Sequence, residues 1–222
     1  MLYLASLLLG GTAGFLPLLP MMALFHFAMR KKDKKSNMKT AMPHVVAVYI
    51  FCLVLTVVFS ITQIPSVYAL EFDAVMNFAP FAAISGNFHQ YVLNILLFVP
   101  VGFLLPVLWR KFGKWHLTLA CGFLLSLSIE IIQLFNSRIT DIDDLLMNTA
   151  GAVVGYCLFL LAKRLFPKIA KLSIDGKDHW KWEPYVCFCF AWGSMLLVQP
   201  FVYRLLSMIF FQPFIQGQPR FR

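Results

Sequence analysis

The sequence predicts an all-α fold: a polytopic membrane helical bundle of about six transmembrane helices, with both termini extracytoplasmic. Three observations predict it. Hydrophobic residues make up 60% of the chain, 23 of its 222 residues are Phe and only 13% are charged, a balance foreign to a soluble domain of this length. Apolar runs of about 20 residues, the length needed to cross the hydrocarbon core, recur along the chain. Between them 15 of the 19 Lys and Arg fall in the connections after the first, third and fifth runs. Cytoplasmic connections concentrate Lys and Arg, so these three are expected inside and the others outside. The net charge of +9 then reports orientation, and no nucleic-acid partner is expected.

The elements follow in order. Residues 2–29 contain no Asp, Glu, Lys or Arg, and the basic cluster follows this run where a signal peptide would carry it in front, so a first helix that stays is expected. Pro43 suits the first turn of a second helix over residues 44–64, because the amide it lacks would have no helical partner there. Residues 66–89 have no Lys or Arg, include Glu71 and Asp73, and are broken by Pro80 and Gly86. Rich in Phe yet too polar to span, they read as an interfacial segment. Further helices are expected over residues 90–109, 116–135, 141–161 and 184–211, the last broken near Pro200 and finishing in the interface. This divides the chain into two N-terminal helices (1–65), three central helices whose core bounds (75–162) are the extent of the resemblance given below, and a basic cytoplasmic connection with the sixth helix (163–222). All five cysteines lie in apolar runs without zinc or disulfide spacing, so they read as packing residues.

Polar residues inside the apolar runs are where function is sought, since each costs a few kcal/mol at membrane depth. On the fourth helix Gly122, Ser126, Glu130 and Gln133 are spaced by 4, 4 and 3 and share a stripe. On the fifth, Asp144, Asn148, Gly151 and Gly155 are spaced by 4, 3 and 4, and the last two form a G-x-x-x-G suited to close helix approach. On the third, Asn87, Gln90 and Asn94 repeat by 3 and 4, with Gly102 eight residues on. Three helices are therefore expected to converge on an outward-opening polar pocket containing Asn94, Glu130, Gln133 and Asn148, rimmed by Arg138, Asp141 and Asp144. Helix packing is expected at Gly102, Gly122, Gly151 and Gly155. Thr140 with Asp143 three residues later resembles a capping box, giving Asp141 and Asp143 a structural alternative. Glu130, Asp141 and Asp144 are hard oxygen ligands, but split over two helices they do not predict a metal site, and no cofactor is expected. His89 alone on the outer side reads as an interfacial residue, and no nucleophile with a histidine partner is visible.

These residues also carry a resemblance. N-x-x-P-F at residues 77–81, N-x-x-x-F-x-P-x-G at 94–102, E-x-x-Q at 130–133 and R-x-x-D-x-x-D-x-x-x-N-x-x-G at 138–151 together resemble the VanZ family of bacterial membrane proteins. The resemblance implies a multi-pass protein of the bacterial cytoplasmic membrane that lowers susceptibility to the lipoglycopeptide teicoplanin. The matching positions are Asn94, Glu130, Gln133, Arg138, Asp141, Asp144 and Asn148. Expected partners are a membrane lipid or lipid-linked cell-wall precursor, and the lipoglycopeptide itself. Two mechanisms stay open: a non-catalytic binder of an amphiphile at the outer face, and an outer-leaflet enzyme modifying a lipid with Glu130 and the aspartates.

Overall fold

The computed structural model describes residues 2–36, 42–72, 76–77, 79–81, 84–136, 140–174 and 178–216. Its main elements are α1 (Leu2–Ser36), α2 (Met42–Ile61), β1 (Met76–Asn77), α3 (Ile84–Leu108), α4 (Trp115–Gln133), β2 (Thr140–Asp141), α5 (Ile142–Leu165), α6 (Glu183–Gly193) and α7 (Gln199–Gln216). Among the described residues six stretches are long and apolar enough to cross a membrane, matching the expected number.

The centre of the bundle is the pairing of α3 with α5, and glycine decides its closeness. A methyl group on Gly151 would run into the Ile95 carbonyl, one on Gly155 into the Val99 carbonyl, and one on Gly102 into the Ala152 carbonyl. The two backbones therefore touch with no side chain between them, the arrangement that drives helix association where lipid removes the hydrophobic force. Helix α4 packs beside this pair, with Gly122 against the Ala152 methyl. The G-x-x-x-G thus serves α3, while Gly122 and Ala152 serve the α4–α5 contact.

Around this centre, α1 packs on α2 and α7, and α2 also contacts α3 and α6. Phe51, Leu55 and Phe59 of α2 and Phe98, Val101 and Leu105 of α3 form a buried core with Cys187 and Ala191 of α6. Hydroxyls tie the helices: Ser60 donates to the Leu7 carbonyl at 2.8 Å, and Ser194 donates to the Gly14 carbonyl.

Three details differ from the sequence expectation. The third helix begins at Ile84, one and a half turns earlier, so part of the supposed interfacial segment is helical. The rest of that segment is tied to the connection between α4 and α5: β1 pairs in parallel with β2, and the Glu71 amide donates to the Phe135 carbonyl at 3.1 Å. Finally, the break expected near Pro200 takes the form of a change in winding. A π turn, Ser194–Val198, precedes the proline, and the widened winding absorbs the amide that proline lacks, so α6 runs on into α7.

Candidate functional site

The polar residues gather where α2 ends and α5 begins. Helix α2 closes with Gln63 at a positive φ of 55°, the Gln63 amide on the Ser60 carbonyl and the Ile64 amide on the Phe59 carbonyl, ahead of Pro65. This ending leaves the carbonyls of Thr62 and Gln63 in need of donors. Gln133 Nε2 donates to the first and Asn136 Nδ2 to the second, each at 2.9 Å. Gln133, 3% exposed, is therefore fastened to the backbone of α2.

Glu130 is one turn earlier on α4 and 4% exposed. Its Oε2 accepts from the Asp141 amide at 3.2 Å, and its backbone carbonyl accepts from the Thr140 hydroxyl at 3.3 Å. The cap of α5 is Asp141 rather than Thr140: its carboxylate accepts from the Asp143 amide at 3.0 Å and from Asn77 Nδ2 at 3.2 Å. Thr140 is drawn away because its hydroxyl already serves α4, so the Thr140–Asp143 capping box does not form.

Asp143 reaches outward instead. Buried to 4% exposure, it takes the Phe81 amide on both oxygens, at 2.9 and 3.0 Å, and the Tyr91 hydroxyl at 2.6 Å. Phe81 holds a φ of 59°, uncommon for a bulky side chain, and the buried carboxylate is what keeps its amide turned inward. Asn94 Nδ2 donates to Asp144 Oδ1 at 2.5 Å, joining α3 to α5, and Asn148 Nδ2 donates to Ser126 Oγ at 3.0 Å, joining α5 to α4. Oδ1 of Asn148 is buried without a hydrogen-bond partner among the described residues.

Asn94, Glu130, Gln133, Asp144 and Asn148 thus line one recess, together with Gln90 and Thr62. Asp141 borders it through Glu130. Arg138 lies outside the described residues, and the side chain of Asn87 is likewise not described. His89 is exposed at the start of α3. The recess holds about 50 Å³, space for a few water molecules and not for a sugar or phosphate head group. Among the described residues no group of three or more His, Cys, Asp and Glu side chains is placed to share a metal ion. Four carboxylates at the N-terminal end of α5 suit the positive end of its dipole, and most of their hydrogen bonds hold neighbouring segments in place.

Sequence reasoning missed a second polar constellation at the opposite end of the bundle. Glu183, the first residue of α6 and 0% exposed, receives Trp109 Nε1 at 2.7 Å and pairs with His26 Nε2 at 3.0 Å and His44 Nε2 at 2.8 Å. His44 Nδ1 faces the Leu172 carbonyl at 2.8 Å and must donate to it, so the pair at Nε2 shares a further proton with Glu183. The only sequence signal was an acid in the first turn beside Pro184, which reads as an ordinary helix start.

Six apolar spans among the described residues, two of them a glycine-tight pair, with polar side chains turned onto one another, define a multi-pass integral membrane protein. The chain belongs to the VanZ/LLP1 family, which it matches over residues 45–163. It is 34% identical to Protein VanZ of Enterococcus faecium over 160 residues, which are 71% of this chain and 89% of that protein. No solved structure matches it.

Proposed function

We propose that this VanZ-type protein lowers susceptibility to teicoplanin-like lipoglycopeptides by holding an amphiphile at the outer face of the cytoplasmic membrane. The occupant would be the antibiotic or a lipid-linked cell-wall precursor. One observation carries the reading. At the end of the bundle where the carboxylates and amides are fastened together, Tyr68, Phe72, Phe81 and Phe88 stand 65%, 69%, 46% and 65% exposed. Aromatic rings at a membrane boundary suit contact with acyl chains and with the apolar faces of sugars, and the Tyr68 hydroxyl adds a polar edge. The buried network beneath them fixes their spacing, most directly through Asp143 and the Phe81 amide. The charge pattern of the connections supports assigning this end to the outside.

A recess of about 50 Å³ disfavours the enzymatic reading, because a lipid head group does not fit beside Glu130. The test is teicoplanin susceptibility of a sensitive host expressing the chain. Wild type should raise the inhibitory concentration, Phe81→Ala with Phe88→Ala should abolish the rise at equal membrane abundance, and Glu130→Gln should largely keep it. A Glu130→Gln protein that still binds lipid-linked precursor yet confers nothing would favour catalysis. A wild-type chain without effect would remove the proposal altogether.

A further inference from the structure

At the lysine-rich end, away from the recess, a basin of about 370 Å³ opens between the 110–113 turn and the start of α6. Its floor is made by Trp109 and Trp180, each 1% exposed, and its walls by Lys111, Lys181, Trp182 and Tyr185. The Lys111 ammonium lies 4.1 Å from the Tyr185 ring centre and that of Lys181 5.6 Å from Trp182. Neither lysine has a carboxylate partner among the described residues. Glu183, the acid next in sequence, is turned inward onto His26, His44 and Trp109. The basin is thus positive, aromatic and placed where three spans meet the boundary, at Leu108, Trp115 and Trp180.

A second hollow, of about 340 Å³, adjoins it and shares Pro184 and Tyr185. It runs between α4 and α6, lined by apolar side chains from Leu117 to Leu125 on one side and by Phe188 and Trp192 on the other, and ends at Ser128. From residue 117 to residue 128 a helix rises about 16 Å, close to half the hydrocarbon thickness. The groove therefore begins at the interface and ends near the midplane, the depth of one leaflet.

We propose that basin and groove together hold one acidic phospholipid of the lysine-rich leaflet, its phosphate between Lys111 and Lys181 and one acyl chain between α4 and α6. A soluble anion would use the lysines and leave the groove empty. A zwitterionic lipid would bring a cation to a site that already carries two. Basic pockets between membrane helices favour acidic head groups for this reason.

The full chain, purified in detergent, is titrated with dioleoyl phosphatidylglycerol or dioleoyl phosphatidylcholine and read by native mass spectrometry. Phosphatidylglycerol should bind preferentially, and Lys111→Gln with Lys181→Gln should weaken it about 20-fold. Lys163→Gln with Lys168→Gln, which removes equal charge elsewhere, should leave it unchanged. Leu124→Trp, which fills the groove, should weaken it as well, and carries the test alone if the lysine pair fails to fold. Equal affinity for the two lipids, equal loss in both lysine pairs, or displacement by equimolar inorganic phosphate would each overturn the proposal.

Discussion

At one end of the bundle Glu130, Asp141, Asp143 and Asp144 are held mainly by backbone amides and amide side chains, with the Tyr91 hydroxyl added at Asp143. At the other, Glu183 is held by side chains alone, from α1, α2 and the end of α3. The first end is graded in burial, with Asp141 and Asp144 half-buried beside a water-sized recess. The second is closed, with Glu183, His44 and Trp109 between 0% and 1% exposed. The same side-chain chemistry therefore does two jobs: at the first end the carboxylates mostly fix the course of connecting segments, with Asn94–Asp144 and Tyr91–Asp143 also joining α3 to α5, and at the second one carboxylate gathers three helices through side chains. Among the described residues the first end keeps one buried side-chain atom unpartnered, Asn148 Oδ1, and the second keeps two, His26 Nδ1 and Ser173 Oγ.

The closed end should be the costlier to disturb. Glu183→Ala strands three buried donors and is expected to lower stability by about 3–5 kcal/mol, read as thermal unfolding in detergent, with Glu183→Gln milder. An effect no larger than that of an aspartate at the recess end would erase the distinction. Gly151→Ala drives a methyl into the Ile95 carbonyl and should cost about 1–3 kcal/mol while separating α3 from α5. Because that contact underlies both ends, cysteine pairs placed across either should crosslink less efficiently. Asp143→Asn weakens the acceptor for the Phe81 amide and should cost about 1–3 kcal/mol, seen as faster hydrogen exchange at residues 79–81 with little change around His44. The smallest change is Gln133→Ala, which releases one interhelical bond worth about 1 kcal/mol and should loosen only the end of α2. An unfolding loss comparable to that of Glu183→Ala would mean the recess, not the closed end, holds the bundle together.

The sequence disclosed the spans and much of the recess, because both obey short-range rules. A period of three to four residues puts Glu130 with Gln133, and Asp144 with Asn148, on one face, and glycines at the same period reveal where backbones meet. What stayed hidden depends on long separations or on backbone donors. Glu183 meets His26 and His44 across 157 and 139 residues, and neither histidine stands out within its apolar run. The bond from the Phe81 amide to Asp143 needs a positive φ that no residue type announces. Proline marked a disturbance near residue 200, but its form stayed hidden because a π turn has no compositional mark.

That wide turn also sets a phase. Each residue of a regular helix advances about 100° around the axis, so the additional residue accommodated at Ser194–Val198 rotates all of α7 relative to α6. Deleting a single residue there would restore uniform winding and swing the side of α7 that now meets α1 outward into the acyl chains. For the C-terminal span, residue count matters as much as residue identity.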